Sequence, residues 1–338
     1  MPVTNDTAAL LERIALRRLS DRPLLRAGDV PGYGPLFNAG VIHHEGLYHL
    51  FARGVRDGYR RNEGPGARFL DYVSDVLVFT SRDGERYEFQ QVLARSSPEG
   101  VYAYEDPRVQ VVRSRGEERV VMTYTNLPAP ETGDPWRIGV HRLGYGDGRF
   151  FLNHTSGRVV GPDGIANKDA VVFNLADGRV ALIHRIHPNI QIAVFETLDE
   201  LWENDPAYWD GYLEDLDRHT IIMPVAGSLG VGAGAPPVTV GDDLVFFYHE
   251  RERDGHYTTK VALLDSTTGR VASIITEPIM RPELEWERVG DVDNVVFVQG
   301  AVLRGDGSIY LTYGAADRCV GAATVNAAEL VASLRAAA

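Results

Sequence analysis

The 338-residue chain is short of two residue types that matter. Cys319 is its only cysteine, so no disulfide can form within the chain and the fold must hold by packing. Lys168 and Lys260 are the only lysines among 34 basic residues. Against so strong an arginine bias, a retained lysine marks a place that can need a compact ammonium rather than a planar guanidinium. Positive charge as a whole is also lacking. The formal net charge of −13 argues against a nucleic-acid partner or an anionic membrane, because phosphate-backbone binding needs a basic surface. It still allows a local basic pocket for one small anion. No apolar run approaches the roughly 20 residues of a membrane span. The opening MPVTNDTAALLERIALRRLS has no apolar signal core, so a cytoplasmic location and no membrane partner are expected. There is no HExxH, no Cys–His cluster and no GxSxG. His43 and His44 are adjacent in a hairpin and should face opposite ways. No metal is therefore expected.

What the chain does have is a block that recurs five times. Each copy runs from a small or polar residue through an apolar strand and a Gly- or Asp-rich turn to a second apolar strand. The copies are NAGVIHHEGLYHLFAR from Asn38, DPRVQVVRSRGEERVVMTYT from Asp106, DAVVFNLADGRVALIHR from Asp169, PPVTVGDDLVFFYHE from Pro236 and QGAVLRGDGSIYLTYG from Gln299. Successive starts lie 63 to 68 residues apart. A unit repeated at fixed spacing marks a repeat architecture, and this period has room for one four-stranded propeller blade. The spacing predicts an all-β, five-bladed propeller. Asn38, Asp106, Asp169 and Gln299 should then gather at one mouth of the axis.

Short helices are expected at both ends. Leu10, Leu11, Ile14 and Leu19 have helical spacing over residues 7–19, and NAAELVASLRAAA reads as a helix capped by Asn326. The organisation expected is an N-terminal helical arm over 1–25, a catalytic propeller over 26–325 and a C-terminal helix over 326–338. Residues 197–216 read as an acidic, aromatic loop with one or two helical turns. Residues 56–72 read as a long loop over one mouth, a placement often used for function.

Chemistry concentrates near the repeat starts. Glu105-Asp106-Pro107-Arg108 places an acid at a channel mouth, where a perturbed carboxyl can transfer protons. The plainer reading is that Asp106 caps a turn while Glu105 pairs with Arg108. Asn167-Lys168-Asp169 occupies the same place in the third copy and suits an anion site held by a carboxylate. Arg53, His184-Arg185 and His249-Glu250 end outgoing strands at equivalent positions. Lys168, Arg185 and His249 together would suit phosphate, which takes charge-assisted hydrogen bonds. The Gly-rich run from Gly230 to Pro237 has no Walker lysine, and reads as backbone lining the channel. Tyr310, Tyr313 and Asp317 combine an aromatic platform with a carboxylate, which suits a sugar ring. Simple strand packing by the two tyrosines is the alternative.

With these residues in place the sequence resembles glycoside hydrolase family 130, the β-mannoside phosphorylases and related mannosidases. The resemblance spans about Arg22 to Asn326. It is carried by Phe37-Asn38, Glu105-Asp106-Pro107-Arg108, Arg137-Ile138, Asn167-Lys168-Asp169-Ala170, His184-Arg185, Gly232 to Pro237, Tyr248-His249 and Tyr313 to Asp317. The resemblance implies a five-bladed propeller and an inverting phosphorolysis of β-mannosides to α-mannose 1-phosphate. It implies Asp106 as the catalytic acid and Arg137, Lys168, Arg185 and His249 as phosphate ligands. Asn38, Arg53, Asp169 and Asp317 would hold the mannosyl ring; Tyr313, read above from its residue type, joins them in the expected substrate-binding set. The partners implied are a mannose-containing oligosaccharide and inorganic phosphate as co-substrate, with no further cofactor; a homo-oligomer is compatible. Two departures stand out: Phe173-Asn174-Leu175 replaces Phe-Pro-Glu, and Tyr248-His249-Glu250 replaces Tyr-His-Gly. Glu250 either pairs away from the pocket or serves as the base of an inverting β-mannosidase. A non-catalytic sugar-binding propeller is the alternative outside enzymes.

Overall fold

Strands in this chain are built from nearly continuous apolar runs, such as Val76 to Phe79 and Val171 to Phe173. Side chains alternate across a strand, so such a run can be stable only where both faces of the sheet are covered. A computed structural model describes residues 11–337, apart from 66, 67, 99 and 154. It shows five antiparallel sheets arranged as the blades of a propeller. Their inner strands are Tyr33–His44, Ala103–Ser114, Lys168–Asn174, the split pair Gly230–Ala233 and Val238–Val240, and Val296–Leu303. In the first blade, Leu50 and Ala52 pack toward the fifth blade, while Phe51 between them packs toward the second. Val76 and Val78 divide from Leu77 and Phe79 in the same way. One apolar strand thus serves two inter-blade cores.

Hairpin turns fix the strand register. Glu45-Gly46, Arg115-Gly116 and Asp147-Gly148 all have positive φ at both positions, the geometry of a two-residue turn that matches strand twist. The ring closes through the N-terminus. Arg17 and Arg18 pair with Thr324 and Ala323 as the outer strand of the fifth blade. This corrects the expected helix over 7–19. Only residues 11–14 of that span are helical among those described, Leu10 lies outside the described residues, and Leu19 packs between the fifth and first blades. The C-terminal helix covers Ala327–Ala336, and the Asn326 side chain accepts from the Glu329 amide. Residues 197–216 hold more helix than expected, with Leu198–Glu203, Pro206–Glu214 and the start of Leu216–His219. The reason is packing: Leu201, Trp209 and Tyr212 are buried on the core between the second and third blades.

The inner strands of four blades share one irregularity, and it builds the site. Register shifts fall at Phe37/Ala39, Glu105/Arg108, Lys168/Val171 and Val298/Gly300. Asn38, Asp106 and Asp169 have φ of 45°, 52° and 54°. Asn and Asp tolerate this left-handed region better than other residues that carry a side chain. A bulge re-aims side chains that regular pleating would bury. Asp106 therefore lies inside its strand, three residues beyond Ala103, and not at the strand start expected from the repeat.

Candidate active site

The bulges of the first three blades open onto one cavity of about 740 Å³ at a mouth of the ring. Asn38, Arg53, Asp106, Lys168, Asp169, Arg185, His249 and Asp317 all line it; of the four residues that the repeat spacing gathers at one mouth, Asn38, Asp106 and Asp169 are among them. Gln299 sits buried behind them, its amide donating to the Asn38 and Pro107 carbonyls at 2.8 and 2.9 Å. It ties the first, second and fifth inner strands together.

One wall is acidic. Asp106 Oδ1 accepts from Asn38 Nδ2 at 2.8 Å and more loosely from the Arg53 guanidinium at 3.4 Å. Arg53 also forms a close ion pair with Glu105 and lies over the rings of Phe37 and Tyr72. Burial pushes the Glu105 carboxyl up, while Arg53 pulls the other way. Burial likewise pushes Asp317 up to about 7, against Arg53 and with the help of Asp106 and Glu105. This wall can hold a proton near neutral pH.

The opposite wall is cationic. Lys168 and Arg185 are paired across a hairpin, and Arg185 Nε lies 3.2 Å from Asp169 Oδ2. Arg108 lies 3.3 Å from Asp169 Oδ1 and also donates to the Ala233 and Gly234 carbonyls. Burial works against a charge on Asp169, yet Arg185, Lys168, His249 and Arg108 hold its carboxyl well below the usual range. Asp169 thus fixes the cations while leaving the wall net positive. Gly232 is required here: a Cβ would stand 2.4 Å from Asp169 Oδ2 and 2.5 Å from the His249 ring. Burial drives His249 down to about 3, so its ring is neutral at pH 7 and can offer a hydrogen bond but no charge.

The structure departs from the sequence reading at Arg137, Tyr313 and Arg108, and it decides the open one at Glu250. Arg137 lies outside the cavity lining, its guanidinium held by the Gly161 carbonyl and Asp163 at 3.0 Å each. Tyr313 is no sugar platform. It is fully buried, stacks on Trp286 and donates to Glu287 at 2.9 Å. Arg108 pairs with Asp169 and not with Glu105. Glu250 points away from the cavity, which its strand neighbour His249 faces, and meets Lys260 Nζ at 2.6 Å. The second retained lysine is thereby explained as a buried partner. His184 is also structural, bonded to Asn167 and to the Tyr212 hydroxyl.

The loop over 56–72 does cover the mouth. It carries a two-stranded ribbon, Arg60–Arg61 with Phe69–Leu70. Phe69 and Tyr72 stack at 4.7 Å, and both line the cavity. Tyr59 anchors the loop by donating to Asp291 at 2.6 Å. Phe69, Tyr72, Arg251 and Tyr257 were not singled out from sequence. The aromatic content of the long loop was the available signal for the first two.

A glycoside hydrolase family 130 model, described as beta-1,4-mannooligosaccharide phosphorylase, matches residues 148–336. A 1,2-beta-oligomannan phosphorylase of Thermoanaerobacter sp. (strain X514) is 28% identical, covering 94% of this chain and 99% of its own. A beta-1,2-mannobiose phosphorylase of the same organism is 30% identical, covering 92% and 97%. Among solved structures, a beta-1,2-mannobiose phosphorylase from Listeria innocua in complex with beta-1,2-mannobiose has a TM-score of 0.71 at 18% identity, covering 95% of this chain and 99% of that one. Whole-length similarity and the matched family model agree with the geometry of the ring, and the chain belongs to glycoside hydrolase family 130.

Proposed function

We propose that this protein is an inverting β-mannoside phosphorylase that releases α-mannose 1-phosphate. The observation that carries the reading is the two-sided cavity, with Asp106 on an acidic wall and Lys168 and Arg185 on a cationic one. Asp106 donates its proton to the leaving glycosidic oxygen as the C–O bond breaks. A phosphate oxygen held by Lys168, Arg185 and the neutral His249 attacks the anomeric carbon from the other face. Asn38, Arg53, Asp169 and Asp317, which line the same cavity, take the sugar hydroxyls in this reading. Inverting hydrolysis needs a second carboxylate to activate water, whereas phosphate is already a nucleophile. Glu250, the carboxylate that departs from the family pattern, is engaged by Lys260 and does not line the cavity. The names of the full-length relatives favour the same reaction. The test is to assay β-manno-oligosaccharides with and without phosphate, and again with Lys168→Ala. Turnover should require phosphate, and the variant should raise its KM. Equal release of free mannose under both conditions would leave a mannosidase.

A further inference from the structure

We propose that Glu105 is a positioning residue for the acid Asp106, acting by drawing the Arg53 guanidinium away from it. The inference rests on the reading of Asp106 as the acid. Adjacent residues on a regular strand face opposite ways. Here the register shift between Glu105 and Arg108, with Asp106 at φ 52°, brings both carboxylates onto one cavity. Both then face a single guanidinium, on the second strand of the first blade. Arg53 divides itself unequally. One end forms the close ion pair with Glu105, and the other reaches Asp106 only at 3.4 Å.

This inequality has a chemical consequence. A general acid must arrive protonated, and a tight guanidinium contact favours the ionised carboxylate. Glu105 occupies the cation, so Asp106 is oriented chiefly by a neutral donor, the Asn38 amide at 2.8 Å. Among the described residues, both contacts fall on Asp106 Oδ1, so the other oxygen is the one available to carry the proton. The remaining charges acting on this cluster are Lys168 and Asp169 from the third blade and Asp317 and Asp291 from the fifth-blade side, with the Tyr72 hydroxyl above. Arg108 meets Asp106 only through its backbone carbonyl. Asp317 and the Tyr72 hydroxyl also feel Glu105, so the effect of a change there has to be read at Asp106 itself.

Glu105→Gln removes a negative charge beside Asp106 and frees Arg53 to close on it. Both effects favour ionised Asp106. The alkaline limb of the kcat/KM profile for a manno-oligosaccharide should therefore move to lower pH by about one unit or more, the usual effect of a nearby opposite charge. Glu105→Asp keeps the charge and should restore the limb toward the parent position. An aryl mannoside whose leaving group needs no protonation should show no such shift. A carbon-13 carboxyl titration, with the Asp106 resonance identified by its loss in Asp106→Asn, reads the same displacement without turnover. An unmoved Asp106 titration in folded Glu105→Gln overturns the proposal. A parent enzyme with no phosphate-dependent turnover overturns the functional reading instead, while the titration still decides the role of Glu105.

Discussion

Lys260→Met would leave Glu250 buried with one backbone donor. The pair is closed off, with 4% and 2% of the two side chains exposed and 2.6 Å between charges. After the substitution, Glu250 keeps only the Val225 amide at 3.2 Å. Breaking a buried pair from one side costs about 3–5 kcal/mol, because the remaining charge is desolvated and unpaired. An unfolding entropy of about 2.1 cal/mol/K per residue gives about 0.7 kcal/mol/K for 338 residues. The expected fall in Tm is therefore about 4–7 °C. Removing both charges, in Lys260→Met/Glu250→Leu, should recover most of that loss, since an apolar pair of similar volume is often neutral or better. Scanning calorimetry reads the Tm values, and initial rates at 25 °C read the KM for phosphate. The KM should hold in both variants, because Glu250 faces away from the cavity. An unchanged Tm in Lys260→Met would refute the energetic argument. A double variant that folds but loses turnover would return Glu250 to the chemistry.

Asp106→Asn should keep the Tm and sugar binding while lowering turnover on oligosaccharides at least about a hundredfold, as for loss of a general acid; near-normal rates would remove Asp106 from that role. Gly314→Ala should also cost turnover, because its Cβ would stand 1.8 Å from Asn38 Oδ1 and displace the amide that orients Asp106. A displacement of about 1 Å can cost on the order of a hundredfold, and steady-state kinetics with calorimetry separates this from unfolding. Stability should fall in acid. Burial lowers His49 to about 4 and His184 and His249 to about 3, so the unfolded chain binds more protons below its ordinary histidine pKa. Their contribution is complete above about pH 6.5 and is lost as pH falls toward 4, at about 1.4 kcal/mol per unit for each. Denaturant melts at pH 7, 6 and 5 check this, and His49→Phe should flatten the slope.

The ring and most of the cavity were legible in the sequence because blade period and strand alternation are both periodic signals. Asn38, Asp106 and Asp169 sit at equivalent bulges, so a constant spacing brought them together. The bulges themselves were hidden, since one extra residue in a strand leaves no periodic trace; this is why Asp106 was placed at a strand start. Ring closure by Arg17 and Arg18 was also hidden, because two residues carry no pattern. Tyr313 misled for a different reason. An aromatic residue four positions before Asp317 resembles a platform, but the strand turns it into the core against Trp286. Arg137 and Glu250 depend on partners far away or across a hairpin, Asp163 and Lys260, which residue type alone does not reveal.

Phosphorolysis makes one product that hydrolysis does not, and phosphorus NMR sees it directly. With a β-manno-oligosaccharide and inorganic phosphate, the account predicts that the phosphate signal is converted, one for one with bonds cleaved, into that of an α-linked sugar 1-phosphate. Cleavage that releases mannose while the phosphate signal stays constant would contradict it.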